Sequence, residues 1–342
     1  MDHSTLERMT ARLIFILGLA FISAVAIASP ELETTPRTLS VMTHDSFAVS
    51  ESVLNSFEEK HGLQVRILEA GDTGTALNKA ILSRGKPLAD VIYGIDNTFL
   101  SRALDEDILE PYRSPLLTAI PMEFQIDPSF RALPVDYGDV CLNYHIPSFE
   151  EYNLSPPSDL DSIIEPSYHG LTVVQNPATS SPGLAFLMAT VARYGDPGYI
   201  DFWQSLLDND VLVVNDWETA YFQEFSGSVG RGPRPIVVSY SSSPPFEILF
   251  SESPLHKPST AAVSGSKSCF RQIEFVGILS GTENRDIAEL WVDFMLSVTF
   301  QEDMPMNMFV FPVNQEASLS QEFVDFLVIP EDPALLSPDV IA

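Results

Sequence analysis

The chain has 342 residues, 45% of them hydrophobic, which is enough for two packed domains and too apolar for a disordered polypeptide. Its 47 Asp and Glu against 18 Lys and Arg give a formal net charge of -29, which excludes nucleic-acid binding through the phosphate backbone. A cationic ligand or docking surface fits that charge, and so does adaptation to a saline setting, because the carboxylates are spread along the whole chain.

The first residues read as an export signal. Arg8 and Arg12 precede an apolar run from Leu13 to Ile27, and Ala26-Ile27-Ala28 has the small-x-small form that signal peptidase cuts. Cleavage after Ala28 would remove residues 1–28 and leave a free periplasmic or secreted protein. The run is shorter than a membrane-spanning helix, and no cysteine follows it to carry a lipid. Two cysteines in an oxidising space tend to pair, although nothing in the sequence proves that Cys141 and Cys269 meet. The six histidines are scattered and no Cys/His cluster has metal-ligand spacing, so neither a metal nor another cofactor is expected.

From Arg37 onward apolar strand-like runs alternate with helical stretches, the pattern of an α/β fold on largely parallel sheets. Leu39 to Met42 reads as a strand, and Ser50 to His61 as a helix with Val53, Leu54 and Phe57 on one face, closed by Gly62. Leu63 to Leu68 is the next strand, Thr75 to Ser83 a helix, Asp90 to Tyr93 a short buried strand and Asn97 to Leu104 a helix. Prolines between Pro111 and Pro134 mark a connection. Val135 to Tyr144 then reads as a long strand crossing into a second lobe. That lobe holds the strands Leu171 to Gln175, Val211 to Val214 and Pro235 to Ser239, with the helices Gly183 to Tyr194, Tyr199 to Leu207 and Glu218 to Phe225. Ser226 to Pro235, rich in Gly and Arg, reads as a surface loop. A second long strand, Arg271 to Leu279, precedes a helix from Arg285 to Ser297 whose Ile287, Leu290, Trp291, Phe294 and Met295 recur at helical spacing. The chain thereby returns to its first lobe. Two lobes joined by two antiparallel strands make a hinge with a cleft, the default place for a ligand.

One loop stands out chemically. Asn176-Pro177-Ala178-Thr179-Ser180-Ser181-Pro182-Gly183 sets two adjacent hydroxyls at the mouth of a helix starting near Leu184. A helix N-terminus carries unsatisfied N–H groups and partial positive charge, so these serines either cap the helix or hold a small polar or anionic group.

Further segments recur with it in a fixed order from about Leu39 to Val313. They are Asp45-Ser46-Phe47, Ala89-Asp90-Val91 with Asp96-Asn97, Pro134-Val135-Asp136-Tyr137-Gly138, Trp217-Glu218-Thr219-Ala220-Tyr221, Ser239-Tyr240-Ser241-Ser242-Ser243-Pro244 and Pro312-Val313. In that order and separation the chain resembles the periplasmic solute-binding proteins of ABC importers, and among them those that bind thiamine. The resemblance implies a two-lobed α/β type II fold with an interlobe cleft and hinge strands. Residues 37–136 plus 277–310 would form lobe I, 137–276 lobe II, and 311–342 a C-terminal segment on lobe II. It also implies a monomer that is not an enzyme, capturing thiamine or a thiamine phosphate and passing it to a membrane permease driven by an ATPase.

Thiamine joins a flat aminopyrimidine to a cationic thiazolium with a hydroxyethyl tail. The matched positions would offer Trp217 and Tyr240 to the rings, Asp72 and Thr73 as contacts from lobe I, and Ser180, Ser181 and the run Ser241, Ser242, Ser243 to the tail. The chain departs from the family at His44 and Phe246, where tyrosine is usual, and at Phe309, where tryptophan is usual. Stacking survives these changes, but hydrogen bonds are lost. Ala178 stands where an arginine is usual, which favours free thiamine over its phosphates. Each residue also has a plainer role open to it: Trp217 and His44 as packing, Tyr240 as core, the serine run as a loop, Asp45 and Asp96 as helix caps, Asp136 and Tyr137 as hinge residues. The hinge strands implied by the resemblance would set Cys141 and Cys269 on neighbouring strands of lobe II, as a disulfide stiffening that lobe. The family continues into a long terminal helix, of which Ser337-Pro338-Asp339-Val340 looks like the first turn; either that helix is absent or the sequence is incomplete.

Two rival functions remain from the sequence. A polyamine or ferric-iron binder belongs to the same superfamily, although the adjacent tyrosines usual in iron binders are missing. An exported serine hydrolase would need an activated nucleophile, and there is no Gly-x-Ser-x-Gly elbow and no histidine near Ser180 or Ser242 in sequence.

Overall fold

The computed structural model describes residues 36–227, 232–249, 257–319, 321–325, 328–334, 336 and 338–341. The export signal at 1–28, part of the Gly/Arg loop at 228–231 and the expected cap Ser337 lie outside the described residues. The chain opens with β1 (Arg37–Thr43), α1 (Glu51–His61), β2 (Leu63–Glu69), α2 (Thr73–Leu82) and β3 (Val91–Asp96). β1 pairs in parallel with both β2 and β3, and β3, parallel to β1 and antiparallel to β10, is buried along its whole length as a central strand is. Gly62 ends α1 in the left-handed region at φ 63°, with its N–H on Glu58 O, a conformation that a Cβ would strain.

Next come α3 (Leu100–Asp105), β4 (Leu109–Glu110), the 13-residue β5 (Leu133–His145) and α4 (Ile146–Tyr152). β6 (Thr172–Gln175), α5 (Ser181–Tyr194), α6 (Gly198–Asp208), β7 (Leu212–Val214), β8 (Ile236–Tyr240), α7 (Ser243–Leu249) and β9 (Thr260–Val263) build the second half, and β10 (Phe270–Leu279) returns. α8 (Arg285–Leu296), α9 (Val298–Met308) and β11 (Phe311–Pro312) follow. The sheet order is β2-β1-β3-β10-β5-β8-β6-β7, with β4 on β10 and both β9 and β11 on β5.

Two main cores among the described residues hang on this sheet, and β5 and β10 serve both. β5 gives Leu133 and Val135 to the first core and Val140 and Leu142 to the second; β10 gives Ile273, Phe275 and Val276 to the first and Phe270 to the second. Their antiparallel pairing sets Glu274 opposite Asp136 and then breaks register between Glu274 and Phe275. Such an irregularity bends a strand, here at the passage between the cores. In the first core α8 buries Ile287, Trp291 and Met295 at helical spacing, and Trp291 packs edge-on against Phe57 5.1 Å away. In the second, α5 and α6 lay Phe186 and Phe202 onto the sheet. Cys141 of β5 and Cys269, just before β10, form a disulfide with Cα atoms 4.3 Å apart.

Several elements differ from the sequence reading. The short strand predicted at Asp90 to Tyr93 runs on to Asp96, since Ile95 and Asp96 remain buried. The helix predicted from Asn97 begins at Leu100, because Asp96 first holds a turn, its Oδ1 accepting from Thr98 N at 3.0 Å, Thr98 Oγ1 at 2.6 Å and Phe99 N at 3.1 Å. The helix predicted at Glu218 to Phe225 is a π-helical turn, Thr219–Glu224. α7, β9 and α9 lie where no element is predicted. The C-terminal segment is divided: Val313 packs in the first core, while Ala334, Leu336 and Ile341 pack on the second.

Candidate functional site

The loops after β1 and β2 and the end of β3 face the start of α5 and the Trp217 turn across a cleft, with Tyr240 of β8 and Glu274 of β10 between the walls. Asp72 caps α2, its Oδ1 accepting the Thr73 N–H at 2.8 Å, so the helix starts two residues before the predicted Thr75. Its Oδ2 accepts the Trp217 backbone N–H from the opposite wall at 3.3 Å. Gly74 N–H donates to Thr179 O at 3.0 Å, and a Cβ on Gly74 would stand 2.8 Å from Ala178 O. The missing side chain is what lets the two backbones touch. Ser181 Oγ donates to Asp96 Oδ2, and Ser242 Oγ to the carbonyl of Phe309.

Between the walls lies a space of about 40 Å³. That is room for one or two waters, so a ring-sized ligand enters only if the walls part. Of the predicted contacts, His44, Asp72, Thr73, Ser181, Trp217, Tyr240 and Phe309 all line it. Trp217 is oriented by its Nε1–H, which donates to Ser239 Oγ at 3.0 Å, and by stacking on Tyr221 at 5.0 Å; Tyr240 meets it edge-on at 6.5 Å. Phe309 ends α9 with φ 65°, a left-handed backbone rare for a bulky residue and typical of functional surfaces.

The other predicted contacts sit behind the lining. Ser180 is the buried residue before the first turn of α5. In the serine run, Ser241 N–H donates to Asp139 O at 2.8 Å, and Ser243 Oγ lies 2.8 Å from Ser239 Oγ and accepts Tyr240 N–H at 3.3 Å. These groups start α7 and brace Trp217. Phe246 stacks on Phe309 at 3.8 Å and backs that wall.

The lining also includes Glu274, Ser46, Pro182, Met308 and Val310, which the sequence reading missed. Glu274 carried a signal: it is a carboxylate inside the otherwise apolar run Ile273 to Leu279. Burial raises the carboxyls of Asp72, Asp96, Asp136 and Glu274 above their ordinary range, Glu274 to about 8. Burial lowers His44, which keeps its imidazole neutral. The Arg271 guanidinium is turned to Asp139, at 3.0 and 2.9 Å. At the mouth Glu218 is raised by burial and then by Asp45, Asp216, Glu69 and Asp72. The cleft therefore combines aromatic faces with a cluster of carboxyls whose ionised form burial disfavours and a bound cation would favour, a setting suited to a flat cation.

Residues 86–332 match the family of bacterial extracellular solute-binding proteins. The chain belongs to this family. It is similar to the thiamine-binding periplasmic protein of Brucella suis, at 26% identity over 97% of this chain and 95% of that one, and to that of Escherichia coli, at 27% over 80% of each. Among solved structures, a periplasmic thiamin binding protein matches with a TM-score of 0.78 at 24% identity, over 90% of this chain and 92% of that one. Iron-bound HitA from Pseudomonas aeruginosa matches with a TM-score of 0.72 at 18% identity, over 90% and 95%. The fold is thus the two-lobed type II fold of periplasmic binding proteins, with β5 and β10 as hinge strands and the cleft between the lobes. Family and fold are those of solute-binding proteins rather than enzymes, which removes the hydrolase reading.

Proposed function

We propose that this solute-binding protein captures thiamine in the periplasm as a monomer and delivers it to the permease and ATPase of an ABC importer. The observation that carries the ligand is the convergence of Trp217, Tyr240 and Glu274 on one cavity that, among the described residues, no lysine or arginine lines. A thiazolium over an indole face gains about 0.5–2 kcal/mol, more as water is excluded. The tail points to Ser181 at the start of α5; with Ala178 beside it and no guanidinium among the described residues lining the cavity, free thiamine is preferred to its phosphates.

Lobe I comprises residues 37–136 and, because Ile273, Phe275 and Val276 pack in the first core, 273–310 rather than 277–310; lobe II comprises residues 137–272, and the C-terminal segment rests mainly on lobe II. Ligand enters while the walls are apart and stabilises the closed form, because only that form makes contacts from both sides. A polyamine is the second reading, supported by the same carboxylates, whereas the aromatic faces favour a ring. Among the described residues no group of three His, Cys, Asp or Glu is arranged to hold a metal, so a ferric ion has less to support it.

Calorimetric titration with thiamine, thiamine monophosphate, spermidine and ferric citrate tests the assignment. Tightest binding to thiamine is expected. No heat with either thiamine compound discards the ligand and leaves the family intact.

A further inference from the structure

We infer that Asp136 and Glu274 share a proton in the ligand-free cleft and that a cationic ligand expels it, which makes Glu274 the residue that recognises the ligand's charge. The inference rests on the reading that the ligand is a cation. The two residues are register partners on the hinge strands β5 and β10, so their side chains stand on the same face. The Tyr93 hydroxyl lies 2.6 Å from Asp136 Oδ2 and 3.1 Å from Glu274 Oε2, and its single proton serves only one of them. Asp136 Oδ1 is buried and receives no N–H or hydroxyl donor. The Glu274 carboxyl, which meets the same Tyr93 hydroxyl, is the neighbouring group placed to share a proton with it. Two carboxyls hydrogen-bond only when one of them is protonated.

The groups facing Glu274 supply no positive charge. From β10, Gln272 Nε2 donates to Glu274 Oε1 at 3.3 Å; from beyond β1, His44 Nε2 lies 3.7 Å from that oxygen, buried and without a hydrogen-bond partner. Asp96 of β3, Asp72 at the start of α2 and Tyr240 of β8 add negative charge or a neutral hydroxyl. Burial and neighbouring carboxylates raise both members of the pair, Glu274 to about 8, and burial keeps His44 neutral. Two bare carboxylates side by side out of water are therefore avoided by keeping a proton. A thiazolium brought to Glu274 supplies the missing counter-charge. The O–H bond of the pair then breaks, its proton passes to buffer, and the ligand's charge takes its place with no other bond made or broken.

Calorimetry of the wild-type protein with thiamine at pH 7, in phosphate and in Tris, reads the protons released from the difference in heats. Close to one proton is expected, with affinity falling about tenfold from pH 7 to pH 6. Glu274→Gln is expected to lose the proton release and the pH dependence together. Asp136→Asn gives the same readout if Glu274→Gln does not fold. Thiamine binding with heats independent of buffer in the wild type overturns the inference while the ligand assignment stands, as does full proton release from Glu274→Gln. Absence of any thiamine binding overturns both.

Discussion

Replacing Gly74 with alanine should separate closure of the cleft from stability of the fold. Gly74 lies in the first turn of α2, where its N–H bonds Thr179 O at 3.0 Å across the cleft. An added Cβ would stand 2.8 Å from Ala178 O and 3.0 Å from Thr179 O, against ordinary contact from 3.4 Å, so the backbones must separate by about 0.5 Å. Overpacking of this kind costs about 1–3 kcal/mol. Weakening the hydrogen bond adds about 1 kcal/mol. The closed form thus loses about 2–4 kcal/mol, which after some relaxation is still at least about tenfold in affinity. The open form loses neither contact and gains up to about 1 kcal/mol from alanine in a helix. Only the tip of the Phe99 ring, 3.1 Å from the new Cβ, must adjust within the same wall. Thiamine titration and thermal melts of the ligand-free protein read the two effects. The expected result is a Kd raised at least about tenfold with an unchanged or higher Tm. Unchanged affinity, or a loss of affinity that comes with a large drop in Tm, refutes the reasoning.

Trp217→Ala should weaken thiamine binding by more than about tenfold, with Trp217→Phe keeping part of the affinity, because the ring face and its stacking are the main contact; equal affinity of wild type and Trp217→Ala would make Trp217 a packing residue. Glu274 should link stability to pH. Its folded-state pKa of about 8 lies above the ordinary 4.5, so its favourable contribution is complete below about pH 4.5 and is lost as pH rises through 8, a few kcal/mol in all. Urea unfolding at pH 6 and pH 9 should show this loss in the wild type and a flatter profile in Glu274→Gln; identical profiles would contradict it. Replacing Cys141 and Cys269 together by serine should cost up to about 5 kcal/mol, since the bridge closes a separation of 128 residues. A urea midpoint unchanged by the double substitution would show that the bridge adds nothing.

Short-range signals made much of the fold legible. α1 could be read from Val53, Leu54, Phe57 and the closing Gly62, whereas α5 starts at Ser181, two residues before the predicted Gly183, with Pro182 inside its first turn. Long-range register could not be read. Glu274 stands out in an apolar strand, but its pairing with Asp136 depends on how β10 meets β5, 138 residues away in sequence. The serine run shows a different limit: a hydroxyl at a helix start serves a ligand or its own backbone equally well, and Ser243 serves Ser239 and Tyr240. α9 escaped notice because Pro305 lies inside it and breaks the usual pattern. His44, Asp72 and Trp217 were found through order and separation in the chain, since no local periodicity marks any of them as facing a cleft.

A crystal structure of the protein with thiamine tests the central claim most directly. The account predicts a closed cleft with the thiazolium within about 6 Å of the Trp217 ring centroid, its charge towards Glu274, and the hydroxyethyl tail at Ser181. Thiamine bound outside the cleft, or a cleft holding it with Trp217 and Glu274 turned away, would contradict it.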